Sequence, residues 1–268
     1  MKEKNINTTI KVCEKCGEPL EQLFPNGPIL GMDRHPRMCS CMRIADAEER
    51  MDRARREQEE MISRNRSICF SDKAMYEWNF RNDDHMVSSM ELARGYVQRF
   101  EIMLEENIGY LFWGGVGTGK TYIAACIANA LLDKSYTVKM TNFATIINDL
   151  FSSTDKNGYI NSLVNCDLLI IDDLGAERNT DYAIENVFNV IDRRYRTGKP
   201  MIITTNLQLS MLYSEPSLDK KRIYDRILEN CVPVSVSGSS KRTATGKEKM
   251  NQVKKFVKEN QGGGKSDE

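Results

Sequence analysis

From Ser67 onward the apolar residues of this chain come in short unbroken runs, among them Tyr110-Leu111-Phe112-Trp113, Leu168-Leu169-Ile170-Ile171 and Met201-Ile202-Ile203. Runs of this kind, without polar alternation, are what strands buried on both faces look like. Between them lie longer stretches with helical apolar spacing. The pattern places strands near 109–113, 137–141, 167–171, 200–204 and 232–236. It places helices near 88–106, 119–133, 143–152, 158–165, 180–196 and 218–229. Strands alternating with helices predict an α/β fold, a five-stranded, mostly parallel sheet flanked by helices.

Upstream the pattern changes. Residues 42–66 hold seven basic and seven acidic residues with no Pro or Gly. Ile44, Ala47, Met51, Ala54 and Met61 recur at three-four spacing, with Gln58 in the same row, which describes one helix with a thin apolar stripe. A coiled-coil seam would be richer in large apolar residues, so a solvated linker helix is the expectation. Residues 1–41 have little periodicity and carry Cys, Pro and Gly. The tail from 246 to 268 is charged and ends in Gly262-Gly263-Gly264-Lys265, which predicts a partly disordered segment. The expected division is 1–41, 42–66, 67–245 and 246–268.

Composition narrows the function classes. The chain has 268 residues, 40% of them hydrophobic, and no apolar run of membrane-spanning length. With no signal-like apolar core after Met1, a cytoplasmic protein is expected. Basic and acidic residues balance at 38 each, so any nucleic-acid contact must come from a local patch. From Ser237 to the end there are eight Lys/Arg against four Asp/Glu, a modest basic excess that fits a solvated tail equally well.

The chemistry is concentrated after the first core strand. Gly114-Gly115-Val116-Gly117-Thr118-Gly119-Lys120-Thr121 fits G-x-x-x-x-G-K-[ST], with an apolar strand before it and a helix after it. Glycines let backbone N–H groups close on phosphates at a positive helix end. Lys120 is expected to reach the β and γ phosphates of ATP, and Thr121 to hold Mg²⁺. At the end of the run 168–171, Asp172 would complete the Mg²⁺ shell, and Asp173 would orient or deprotonate the attacking water. Asn206, after Met201 to Thr205, could bond the γ-phosphate or that water; a plain turn would also account for it. Arg222 and Arg226 are four apart on one helix face. They could neutralise transition-state charge in a neighbouring subunit or simply form a solvated basic face.

Four of the eight cysteines crowd into the first 41 residues as Cys13-Glu14-Lys15-Cys16 and Cys39-Ser40-Cys41. Two thiolate knuckles can complete a tetrahedral, structural Zn²⁺ site, with Gly17 in the turn and His35 as a possible substitute ligand. So short a module has too little core to fold without the metal.

Together, the motifs at 114–121, 168–175, 202–207 and 222–227 resemble the DnaC/IstB-like branch of the AAA+ ATPases, from about Ser67 to Lys247. Trp78-Asn79-Phe80 is similar to that family's lead-in to the ATPase core. The resemblance implies that Asn206 is the first sensor and Arg226 the trans-acting arginine finger, with Arg222 beside it. It makes Arg242, in Ser239-Ser240-Lys241-Arg242, a candidate second sensor, although Lys241 stands where the family has an aromatic. Asp173 stands where most AAA+ proteins have Glu, which suits a slow switch. The 26 residues after Arg242 are too few for a C-terminal lid, which this branch usually lacks. What the resemblance implies is an ATPase that loads a replicative DNA helicase onto single-stranded DNA, self-associates through its ATPase domain and docks through the zinc module. An IstB-like transposition helper and a weakly hydrolysing, nucleotide-gated adaptor are the alternatives.

Overall fold

A computed structural model describes residues 10–82, 88–176, 180–238, 249–250 and 252–254. The chain divides into two compact units, Met1–Met61 and Ile62–Glu268.

The first unit has one small antiparallel pair, β1 (Glu21–Leu23) with β2 (Arg34–Pro36), and the start of a long helix, α1 (Ser40–Cys69). Glu18 accepts the Ser40 N–H at 2.7 Å and so caps that helix. Along α1, Arg50–Asp46 and Arg53–Glu49 pair one turn apart, and Arg55 pairs with Asp52. These exposed pairs favour the helix without any packing partner.

In the second unit two short 3₁₀ turns, Lys73–Glu77 and Phe80–Asn82, lead into α2 (Ser88–Gln98) and α3 (Phe100–Glu105). The single helix expected over 88–106 is therefore broken, and Arg99 leaves helical geometry at φ −112°, ψ 26°. There follow β3 (Gly109–Trp113), α4 (Lys120–Asp133), β4 (Val138–Asn142), α5 (Phe143–Ser152) and α6 (Lys156–Val164). Then come β5 (Leu168–Leu174), α7 (Asp181–Arg196), β6 (Met201–Thr205), α8 (Leu209–Tyr213), α9 (Leu218–Asn230) and β7 (Cys231–Ser235).

The five long strands form one parallel sheet in the order β4-β5-β6-β3-β7. Alternate residues feed two cores. Tyr110, Phe112, Leu168, Ile170 and Ile202 pack with α2 and α4 on one face. Leu111, Leu169, Ile171, Met201 and Ile203 pack with α5, α6, α7 and α9 on the other. That double burial explains why these strands read as solid apolar runs. Among the described residues no helix is long and apolar enough to cross a membrane.

Below the sheet the largest fully buried side chain is Arg194. Its guanidinium donates to the carbonyls of Val164, Cys166 and Asp167 and of Pro200, at 2.5–3.0 Å. It ties the turn into β5 to the turn into β6, and burial lowers its pKa.

Candidate nucleotide site and cysteine cluster

The phosphate loop runs from β3 into α4, at the carboxyl ends of the parallel strands where ligands of such sheets bind. Gly114 takes φ +146° beside β7, where a Cβ would lie 2.3 Å from the Val236 carbonyl oxygen. Gly119, before α4, is left-handed at φ +99°, and no side chain caps the helix. The first N–H groups of α4 are thus not consumed by a cap, as an anion site requires. In the loop, Thr118 donates to the Gly115 carbonyl at 3.0 Å, and Val116 is exposed.

Lys120 is buried at 5% exposure. Its Nζ donates to the Gly114 and Gly115 carbonyls at 3.0 and 2.7 Å and to Asn206 Oδ1 at 2.7 Å. Thr121 Oγ1 donates to Asp172 Oδ1 at 3.0 Å. Burial raises the Asp172 pKa, opposed by the Thr204 and Thr121 hydroxyls and by the Lys120 charge. Lys120, Thr121, Asp172 and Asn206 therefore meet at one edge. A buried cation over loop carbonyls, an uncapped helix start and adjacent hard oxygen donors fit a nucleoside triphosphate with Mg²⁺.

Asp173 is exposed and lies in a bulge: β5 and β6 pair Ile171 with Ile203 and then Leu174 with Thr205, and Asp173 takes φ +57°. A regular strand would send Asp172 and Asp173 to opposite faces. Nothing in the apolar run before them announces the bulge.

The two arginines lie on the α7–α9 face. Arg222 is exposed, its guanidinium 5.6 Å from the Phe188 ring centre. Arg226 is half-buried against Phe188 and Tyr195 and pairs with Asp192 at 2.6 Å. Arg242 lies outside the described residues.

The fold also forms a groove with aromatic walls that no single stretch of the sequence contains. A groove of about 480 Å³ is lined by Ala144, Ile147, Asn148, Phe151, Thr180 and Tyr182. Phe151 is 81% exposed, and the Lys156 ammonium sits 5.6 Å from the Tyr182 ring centre. The aromatic pair is 31 positions apart, so only the packing of α5 beside α7 brings the two rings to one groove.

In the first unit the Sγ atoms of Cys13, Cys16, Cys39 and Cys41 all lie within 4.8 Å of one another. Cys41 Sγ is 3.2–3.5 Å from the other three. An all-sulfur tetrahedron with bonds of about 2.3 Å has edges near 3.8 Å, so the four fit Zn²⁺. Gly17 closes the first knuckle through its N–H to the Cys13 carbonyl at 2.8 Å. His35 is engaged elsewhere: its ring stacks on Phe24, and Nδ1 lies 3.1 Å from the Pro36 carbonyl.

The profile of the family described as IstB-like ATP binding protein matches residues 37–249. The replicative helicase loader DnaC of Escherichia coli (strain K12) is 32% identical over 179 residues, 63% of this chain and 70% of that protein. The replicative helicase loader DnaI of Bacillus subtilis (strain 168) is 26% identical over 147 residues, 50% of this chain and 47% of the relative. Among solved structures, DnaI superposes with TM-score 0.56 at 21% identity, over 66% of this chain and 98% of that one. The DnaC helicase loader superposes with TM-score 0.54 at 24% identity, over 62% and 100%. The motif set, the parallel sheet and these matches lead to one assignment: the chain belongs to the IstB-like ATP-binding proteins, in the DnaC-like branch of the AAA+ family.

Proposed function

We propose that this protein is an ATP-dependent loader that binds a replicative DNA helicase and delivers it to single-stranded DNA. ATP binding would favour the assembled state, and hydrolysis to ADP and phosphate would release it. The observation that carries the enzymatic part is the meeting of Lys120, Thr121, Asp172 and Asn206 at the end of the phosphate loop. The similarity to DnaC over 70% of that loader's length supports the loader role.

In this reading Lys120 exchanges the Gly114 and Gly115 carbonyls for phosphate oxygens, while Asn206 holds either the γ-phosphate or the lytic water. Thr121 and Asp172 would hold Mg²⁺, which when bound neutralises charge on the phosphates. Asp173, exposed in the bulge, orients the water. Arg226 acts on a neighbouring copy by exchanging Asp192 for phosphate, with Arg222 beside it. The domain roles follow: Cys13, Cys16, Cys39 and Cys41 hold structural Zn²⁺ in a helicase-docking module, 1–41, and 42–66 links it to the ATPase domain, 67–245. Arg242 remains a candidate second sensor near the charged tail. Single-stranded DNA would run through the groove at Phe151 and Tyr182, where base stacking needs no sequence preference.

Co-sedimentation with the host's replicative helicase, with and without ATP and before and after zinc chelation, tests this reading. The expected result is an ATP-responsive complex that chelation abolishes. Absence of a complex under every condition would reject the loader role and favour a transposition helper or an adaptor with the same ATP site.

A further inference from the structure

Thr204 does not belong to the phosphate loop, nor to the acidic pair that ends β5. It lies on β6, two residues before Asn206, and is fully buried. Its hydroxyl nevertheless joins both acidic residues. Thr204 Oγ1 donates to Asp172 Oδ1 at 2.5 Å and accepts the Asp173 backbone N–H at 2.9 Å.

The bulge explains why a side chain is needed there. Between the pairs Ile171–Ile203 and Leu174–Thr205, β5 spends two residues, Asp172 and Asp173, against the single Thr204 of β6. A bulge leaves one residue's backbone outside the regular ladder. A partly buried N–H left out of the ladder needs another acceptor. Thr204 Oγ1 is that acceptor for Asp173, which also holds a left-handed conformation, φ +57°, uncommon for residues with a Cβ but more open to Asp than to most. The neighbouring Thr205 hydroxyl repeats the device one position on, donating to the Leu174 carbonyl at 2.7 Å. Two threonine hydroxyls thus close the stretch of β5 where the ladder slips.

A hydroxyl has one hydrogen to give and two lone pairs to receive. Spending the hydrogen on Asp172 and a lone pair on Asp173 fixes the first carboxylate and the second residue's backbone from one atom. Thr121 and Thr204 both bond Oδ1 of Asp172, and neither bond uses Oδ2.

The geometry points to Thr204 as a positioning residue that sets Asp172 for cation binding and Asp173 for catalysis through a single hydroxyl. Its kinetic consequence rests on the ATPase reading above; its structural consequence does not. A buried threonine serving the core alone would tolerate its isostere valine, which has the same shape and no hydroxyl. A positioning threonine would not, and serine would replace it.

Full-length Thr204→Val and Thr204→Ser variants are compared with the natural protein by three measurements. The first is hydrogen exchange at the Asp173 amide. The second is binding of a non-hydrolysable ATP analogue in EDTA and across a Mg²⁺ titration, and the third is single-turnover phosphate release. For Thr204→Val the expected result is faster Asp173 exchange and analogue affinity in EDTA within about twofold of natural. The Mg²⁺ needed for half-maximal tightening should rise roughly tenfold and kcat should fall ~100-fold with KM little changed, the size of loss that small misplacements produce. Thr204→Ser should return every quantity to within about threefold. Where the valine variant does not fold, Thr204→Ala, which leaves room for a water, takes its place with the same expectations. An unchanged Mg²⁺ requirement and unchanged Asp173 exchange would overturn the assignment. So would failure of serine to restore them, or loss of analogue binding in EDTA in step with the rest. If the natural protein releases no phosphate, the ATPase reading falls, and the exchange and Mg²⁺ measurements alone decide the role of Thr204.

Discussion

At the phosphate edge, Lys120, Asp172 and Thr204 stand on elements whose neighbours are buried almost without interruption: all five residues of β6 and the first four of β5. In the first unit, Cys13 and Cys16 stand on a tight turn, Cys39 just before α1 and Cys41 in its first turn, and among the unit's described residues only Cys39 is buried. Both regions bring distant residues into contact. In one, packed strands do so, and the polar atoms bond one another. In the other, no comparable core exists, and the side chains that converge are thiols, which attract a cation and not each other. A site of the first kind should persist without its ligand. One of the second kind should not.

Removing zinc is the largest test of that contrast. Structural zinc in small domains contributes on the order of 10 kcal/mol. Chelation, or Cys13→Ser, is expected to unfold residues 10–41 while nucleotide affinity stays within about twofold, because Lys120 and Thr121 bond Gly114, Gly115, Asn206 and Asp172 of the second unit. Two-dimensional NMR of the full chain reads both at once. A module that keeps its dispersed resonances without metal would erase the difference between the regions.

Arg226 asks whether the nucleotide site is complete within one chain. Its guanidinium is held by Asp192, Phe188 and Tyr195 of its own subunit. Arg226→Ala should leave ATP binding intact and cut hydrolysis in assemblies by ~10³. If dilute monomer hydrolyses ATP as fast as the assembly, the arginine has no partner to serve, and the phosphate edge is self-sufficient in chemistry as well as in structure.

A smaller effect is expected from Lys120→Ala. The variant loses charge-assisted bonds to phosphate, and nucleotide affinity should fall by about 100-fold or more. The circular-dichroism spectrum should not change, because the Gly114 and Gly115 carbonyls that lose the ammonium lie in the loop between β3 and α4, outside the helices and the sheet. Loss of the folded signal would make Lys120 part of the scaffold it is thought only to use.

The same contrast governs what could be read from the sequence. Solid apolar runs announced β3, β5 and β6, where burial leaves no room for polar alternation, while the outer strands β4 and β7 showed as shorter apolar segments broken by Lys139 and Pro233. The four P-loop and acidic positions, Lys120, Thr121, Asp172 and Asp173, were legible because each sits at a fixed distance from such a run. The cysteines were legible through their spacing. What escaped was set by neighbours in space. Glu21-Gln22-Leu23 and Arg34-His35-Pro36 are too short and too polar to read as strands, and α8 is only five residues long. Asp192-Arg193-Arg194-Tyr195-Arg196 does not say which arginine is buried under the sheet. Thr204 reads as the polar end of a strand, and its role follows only from a bulge in the strand beside it. Phe151 and Tyr182 share a groove through the packing of their helices alone.

Thiol chemistry sharpens the comparison without changing a single residue. Cys69 lies in the core, and burial pushes its thiol up to about 12; Cys231 is pushed up by the same cause. Cys13 is the reverse case. The backbone N–H groups of Cys16 and Lys15 point at its sulfur and hold its pKa at about 6 while the knuckle is folded. Alkylation with iodoacetamide is followed by mass spectrometry after chelation from roughly pH 5 to 10, a range that covers both the folded-turn value of Cys13 and that of an ordinary thiol. Cys69 and Cys231 should stay unmodified throughout, since packing holds them with or without metal. Cys13 should react with a midpoint near the ordinary thiol value of about 8.5, the signature of a turn that has come apart. A midpoint near 6 would mean that the Cys13–Gly17 turn survives alone, so that the metal finds a half-made site. The two regions would then differ in degree, with the backbone bonds of one turn doing for the module a small part of what buried strands do for the phosphate edge.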